Sequence, residues 1–111
     1  MTERKGMLLL MFDLPMLTPE NRRDYNKFRK ALRVNGFIQF QESCYIRLVR
    51  NVSSFESDIA AIRKELPKEG TIHVIPMNMH VFKGMQCLLG KAYNMAMFAD
   101  DVIFIGDEES A

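Results

Sequence analysis

Six consecutive apolar residues, Met7–Phe12, run into a single carboxylate, Asp13, and then into Leu14 and Pro15. A run this short, bounded by Gly6 and Pro15, has the length of a strand. Its lack of polar alternation predicts that both of its faces are covered. Downstream the period changes. Tyr25, Phe28 and Leu32 recur at i, i+3 and i+7 and form one apolar stripe. Thr18 offers an N-cap, Pro19 and Glu20 suit a first turn, and Gly36 supplies a stop, so a helix is predicted between Thr18 and Gly36. Residues 36–41 and 44–50 then read as two strands. In the second, Tyr45, Arg47 and Val49 face one way while Ile46 and Leu48 face the other. The short link through Glu42 and Ser43 predicts an antiparallel pair with a bulge. Ser53 and Glu56 fit a capping box for a second helix, which carries Phe55, Ile59, Ile62 and Leu66 and is stopped by Pro67. A fourth strand is predicted over residues 71–75, ended by Pro76.

The order βαββαβ is the split βαβ pattern of a ferredoxin-like α+β domain. Such a sheet carries its two helices on one face and leaves the other bare. A bare face does not explain an unbroken apolar first strand, so a second copy is expected to cover it in a two-fold homodimer. The Met-rich stretch 79–99 has no clean period. The last apolar run, Val102, Ile103, Phe104 and Ile105, is expected to add as an extra C-terminal strand to the edge of the partner's sheet. The chain thus divides into a ferredoxin-like domain over residues 1–91 and a C-terminal segment over residues 92–111 with an acidic end.

Length allows one domain, since the chain has 111 residues. The longest apolar run is too short to span a bilayer, and the opening "MTERKG" lacks the apolar core of a signal peptide. A cytoplasmic location and no membrane partner are expected. The net charge of +1 conceals an asymmetry, because all 15 Lys and Arg precede residue 92 while the last 20 residues hold five acids and no base. A basic body with an acidic tail points to a polyanionic partner.

The first helix concentrates that charge. Arg22, Arg23, Lys27, Arg29, Lys30 and Arg33 stand there against Glu20 and Asp24. At about 100° per residue, Arg22, Arg29 and Arg33 fall in one narrow sector beside the apolar stripe. Six bases against two acids favour phosphate contact over a merely solvated face, with Arg47 and Arg50 extending the surface. No base-edge reader stands out, so binding should follow backbone shape rather than sequence. A lone carboxylate after a strand is most often a turn former. If the first strands of a two-fold dimer meet near its axis, however, two copies of Asp13 can converge, and paired carboxylates suit one Mg²⁺ that polarises a phosphate or activates water. Asp13 is therefore the candidate catalytic and metal-binding residue. His73 and His80 lack partners that would complete a metal set, and Cys44 and Cys87 are expected to be buried free thiols.

These residues resemble a family, CRISPR-associated protein 2, in its type II form. "FDLP" at Phe12–Pro15 looks like its first-strand signature. "RRDYNKFRKALRVNGF" (Arg22–Phe37) and "QESCYIRLV" (Gln41–Val49) look like its first helix and third-strand approach, and "EGTIHV" (Glu69–Val74) and "GMQCLLG" (Gly84–Gly90) like its later segments. Cys44 stands where the family leads one to expect an aliphatic residue. The resemblance implies a ferredoxin-like homodimer with a C-terminal strand crossing to the partner. It also implies a bridge between integrase subunits, CRISPR-associated protein 1, with foreign DNA across the centre during spacer acquisition. The DNA so held is duplex DNA, and some members are described as Mg²⁺-dependent endonucleases on single-stranded RNA or on DNA that use the aspartate matching Asp13. The alternative is a stand-alone metal-dependent endoribonuclease similar to virulence-associated protein D toxins. An RNA-recognition module fits less well, because "CYIRLVR" lacks the Gly-aromatic pattern of its third strand.

Overall fold

Hydrogen-bond demand decides where the apolar first run goes. A computed structural model describes residues 6–50 and 54–90. In it the run forms β1 (Gly6–Asp13). It pairs antiparallel with both β3 (Cys44–Val49) and β4 (Thr71–Asn78), and β2 (Ile38–Gln41) lies outside β3, giving the order β2-β3-β1-β4. The register shift between Gln39 and Gln41 is the expected bulge. Helices α1 (Pro19–Val34) and α2 (Phe55–Arg63) make the two crossovers. The ferredoxin-like α+β fold read from the residue pattern is the fold observed.

Local chemistry fixes α1 at both ends. Thr18 accepts from the Asn21 amide at 3.0 Å, and Asn21 Oδ1 accepts from the Thr18 amide at 3.2 Å, a reciprocal box worth about 1 kcal/mol. At the other end Gly36, at φ +89°, lets its amide donate to Arg33 O and the Phe37 amide to Leu32 O. Between the ends, Phe28 and Leu32 are fully buried, each contributing roughly 1.5–3 kcal/mol of apolar transfer. They pack on Leu8, Leu10 and Phe12 of β1 with Phe37, Tyr45, Val49, Ile59 and Ile62.

The period of two sends Met7, Leu9, Met11 and Asp13 to the opposite face. Bareness was expected there, and the structure corrects this at one end. A short helix, α3 (Met79–Lys83), folds back so that Met79 and Phe82 pack on Met7, Ile46 and Leu48, with Phe40 edge-on to Phe82. Both faces of β1 are covered there within one chain. The Asp13 end of the same face carries no such cover, and Leu9 and Met11 are only half-buried.

Other boundaries move for physical reasons. Pro76 does not end the fourth strand, which runs on to Asn78, because β4 is an edge strand where a residue whose N–H points away from the sheet loses no ladder bond. The second helix is capped at Ser54, whose hydroxyl donates to the Asp58 carboxylate at 2.7 Å instead of accepting from a backbone amide, so the capping box does not form as expected; Ser53 lies outside the described residues. Leu66 lies beyond that helix and is 51% exposed. Val102, Ile103, Phe104 and Ile105, with the acidic end, also lie outside the described residues.

Candidate nucleic-acid interface and the Asp13 strand end

The two acids of α1 are both taken up by the connection from α2 to β4. Lys68 Nζ donates to Glu20 Oε2 at 3.0 Å, and the Lys68 amide reaches Asp24 Oδ2 at 3.5 Å. The Lys68 ammonium is held above its ordinary pKa, first by the hydrogen bond it donates to Glu20 and then by the charges of Glu20 and Asp24. Asn21 Nδ2 donates to Glu69 Oε1 at 3.2 Å, and Lys27 stands 3.9 Å from Glu65. Lys27 therefore belongs with this paired side.

The remaining bases sit away from that side in three different states. The side chains of Arg23, Lys30 and Arg33 have no hydrogen bond or ion pair among the described residues, and all three residues are exposed. Arg22 turns back on the loop after β1, donating from Nη1 to Met16 O at 3.1 Å and Leu17 O at 3.4 Å. Arg29 lies half-buried, with Nε donating to the Tyr45 hydroxyl at 3.1 Å and its guanidinium carbon 5.5 Å from the Tyr25 ring centroid. The Tyr45 hydrogen bond, more than any charge, raises the Arg29 pKa further above its already high ordinary value.

Arg47 and Arg50 do not join this ridge on equal terms. Arg47 is held under α2, donating to Asp58 O at 2.8 Å with the Asp58 carboxylate at 3.8 Å. It braces α2 against the sheet, so a phosphate would have to compete with Asp58 for it. Arg50 is exposed just beyond β3.

Asp13 occupies the exposed end of β1, in register with Thr71. Its carboxylate makes no hydrogen bond or ion pair among the described residues. Gly70, at φ +106°, is what lets β4 begin flush against this end. A Cβ there would stand 2.6 Å from Leu14 Cδ2 and 2.7 Å from the Asp13 carbonyl oxygen. The residue pattern gave Gly70 no role, although a glycine immediately before a strand is a signal of close approach.

The cysteines depart from the expectation of buried thiols. Cys44 is half-buried, in register with Met11 on the Asp13 face, and Cys87 is exposed with Sγ 3.5 Å from Leu89 O and 3.4 Å from Gly90 O. His73 faces Met11 from the other side. Among the described residues no three His, Cys, Asp or Glu side chains could together hold a metal. Asp13 fits Mg²⁺ in kind, being a hard oxygen donor, but one chain does not fit it in number. No helix among the described residues is long and apolar enough to cross a membrane.

Behind Asp13 the helix-side core is aromatic. The Phe12 ring lies 6.0 Å from Tyr45 in stacked orientation, with Tyr25 and Phe28 edge-on at 6.0 and 5.9 Å. Tyr45 is thus locked by its ring while its hydroxyl reaches Arg29. The stretch that carries these elements matches a known family. The model of that family, described as CRISPR associated protein Cas2, matches residues 6–85. The chain belongs to the Cas2 family. Three curated relatives match over most of their own length. The chain is 34% identical over 98 residues to the CRISPR-associated endoribonuclease Cas2 of Treponema denticola, covering 88% of this chain and 97% of that one. It is 39% identical over 84 residues to the protein of the same name from Ligilactobacillus salivarius, covering 76% and 83%. With that of Streptococcus mutans it shares 36% over 101 residues, covering 90% and 94%. The Cas2 match takes in β1 through α3, so Asp13, the ridge of α1 and the Tyr45 strand all lie within it.

Proposed function

We propose that this Cas2 chain acts as a homodimer in CRISPR adaptation, where it bridges integrase subunits and holds foreign duplex DNA by its phosphates. The observation that carries the reading is the sorting of charge on α1. Glu20 and Asp24 are engaged by Lys68, while Arg23, Lys30 and Arg33 stand unpaired among the described residues and exposed, beside Arg29. A ridge of this kind attracts any duplex and distinguishes no sequence. The uncovered Asp13 end of the second sheet face, with Leu9 and Met11 half-buried and Ile75 41% exposed, supports pairing with a second copy on that side. Family membership supports the integrase partner and the crossing of the C-terminal strand.

A second reading is favoured by the relatives, which are named endoribonucleases. In it, Asp13 of two copies holds one Mg²⁺, which when bound would supply Lewis-acid activation at a phosphodiester. The residues that Asp13 needs beyond itself come from the second copy, so this activity requires the dimer and binding to α1 alone does not.

Fluorescence anisotropy of a labelled duplex across a salt series, with light scattering on the same sample, tests the proposal. Binding that weakens steeply with salt, is equal for unrelated sequences and comes with a dimer mass is the expected result. Salt-independent binding, or a preference for one sequence, overturns the phosphate-ridge reading. A stable monomer overturns both the bridge and the shared metal.

A further inference from the structure

We infer that Arg29 is the fixed phosphate anchor of the α1 ridge, and that Tyr45, buried beneath it, is a positioning residue that sets the direction of its guanidinium fork. The inference rests on the reading that this ridge binds nucleic-acid phosphates. Among the ridge bases, Arg23, Lys30 and Arg33 have no side-chain partner among the described residues, and Arg22 is committed to the carbonyls of Met16 and Leu17. Arg29 differs from all of them. Its Nε is held by the Tyr45 hydroxyl at 3.1 Å and its guanidinium carbon lies over the Tyr25 ring, while Nη1 and Nη2 have no partner among the described residues.

That division of donors has a chemical consequence. Guanidinium carries five N–H groups, and satisfying Nε from below leaves four, on the two terminal nitrogens, for an acceptor above. A phosphate with its non-bridging oxygens matches that pair of nitrogens in fork geometry. Tyr45 can act as a rigid support because the residue is 1% exposed and its ring is stacked on Phe12 at 6.0 Å. It is itself too buried to reach DNA. Its effect on binding therefore passes through Arg29. Side-chain freedom that a mobile arginine loses on binding has already been lost here in folding. The hydrogen bond joins residues 16 positions apart on α1 and β3, so it also keeps the helix in place over the strand.

The test uses the full-length chain and a fluorescein-labelled blunt duplex in anisotropy titrations across a salt series. Tyr45→Phe keeps the ring and its stacking but removes the oxygen that holds Nε. It should weaken binding about two- to tenfold, with an unchanged slope of log K against log salt, because the charge still meets its phosphate. Arg29→Ala should lower that slope by about 0.9. In an Arg29→Ala background, Tyr45→Phe should cause no further loss. Arg29→Lys keeps the charge without the fork, so it should keep the slope, lose affinity as Tyr45→Phe does, and be insensitive to it. Wild-type affinity in Tyr45→Phe overturns the positioning role, as does an equal loss in the Arg29→Ala background. If Arg33→Ala lowers the slope and Arg29→Ala does not, Arg29 is not the anchor. Wild-type protein that fails to bind duplex in a salt-dependent way overturns the ridge reading itself. Thermal unfolding of Tyr45→Phe is the control, and Arg29→Lys carries the test alone if that variant is destabilised.

Discussion

The α1 ridge and the Asp13 end of β1 lie on opposite layers of one sheet, and they differ in how complete a single chain makes them. The ridge is assembled within the chain. Its acids are paired away to Lys68, one arginine is fixed by Tyr45, and its exposed bases already face solvent. The Asp13 end is unfinished, with one exposed carboxylate, no metal-competent cluster among the described residues and a half-covered apolar neighbourhood. A polyanion can be held by charge density alone, because each phosphate contact is separate and additive. Metal-assisted cleavage needs several oxygens converging on one ion. Of the two proposed functions, the first therefore asks for one protomer, and the second for a pair.

The sharpest way to break this comparison is Asp13→Asn. Metal-dependent RNA or DNA cleavage should fall to background, while duplex affinity and its salt slope stay at wild-type values. Spacer integration with the integrase subunit should persist. Cleavage that survives the substitution removes Asp13 from the site. Integration that collapses with dimer and DNA binding intact reverses the order of the two roles. Next in size is the triple replacement of Arg23, Arg29 and Arg33 by alanine. It should lower the salt slope by about 2.7, at roughly 0.9 per contact, and leave cleavage of a short single strand far less affected. An unchanged slope would mean that the ridge is a solvated face.

How far each region was legible in the residue pattern follows from how local its signals are. The ends of α1 were readable because Thr18, Pro19 and Gly36 act within a few positions of themselves, and its buried stripe because 3.6-residue spacing is intrinsic to a helix. The angular sector put Arg22, Arg29 and Arg33 together, yet it carried nothing about partners. Arg22 finds loop carbonyls, Arg29 finds a tyrosine on β3, and Arg47 finds Asp58 of α2, each set by packing between elements. The persistence of β4 through Pro76 depends on β4 being an edge, which is a property of the strand order. The cover that α3 gives Met7 was hidden for a related reason. Five helical residues are too few to show a period, and what holds them is Phe40 and Leu48 across the sheet.

A smaller effect separates the backbone of the Asp13 end from its carboxylate. Gly70→Ala places a methyl group against the Asp13 carbonyl and forces an alanine into φ +106°, a strain of about 1–3 kcal/mol. The thermal midpoint should drop by roughly 4 °C for each kcal/mol, and cleavage should fall with it. Duplex binding measured well below that midpoint should not change, since α1 is anchored independently by Thr18 and Gly36. An equal loss of binding and cleavage would show that the two regions are one mechanical unit.

The smallest effect concerns Lys68, which touches neither region's ligand. Its pairing with Glu20 and Asp24 is what leaves α1 basic on the other side, so Lys68→Met should weaken duplex binding although Lys68 lies off the ridge. The loss should be about threefold at most at low salt and vanish at high salt, because the uncovered acids act through a screened field. The pH dependence has a definite sign. A lysine whose folded pKa is raised contributes stability that is fully present below its unfolded value, near 10.5, and is lost as pH rises through the folded value. The difference in thermal midpoint between wild type and Lys68→Met should therefore be constant through neutral pH and shrink only in the alkaline range above 10.5. A difference that persists there, or in high salt, would mean that the Lys68 side chain supports its loop by packing. The charge sorting that makes α1 a ridge would then have to come from the arginines alone.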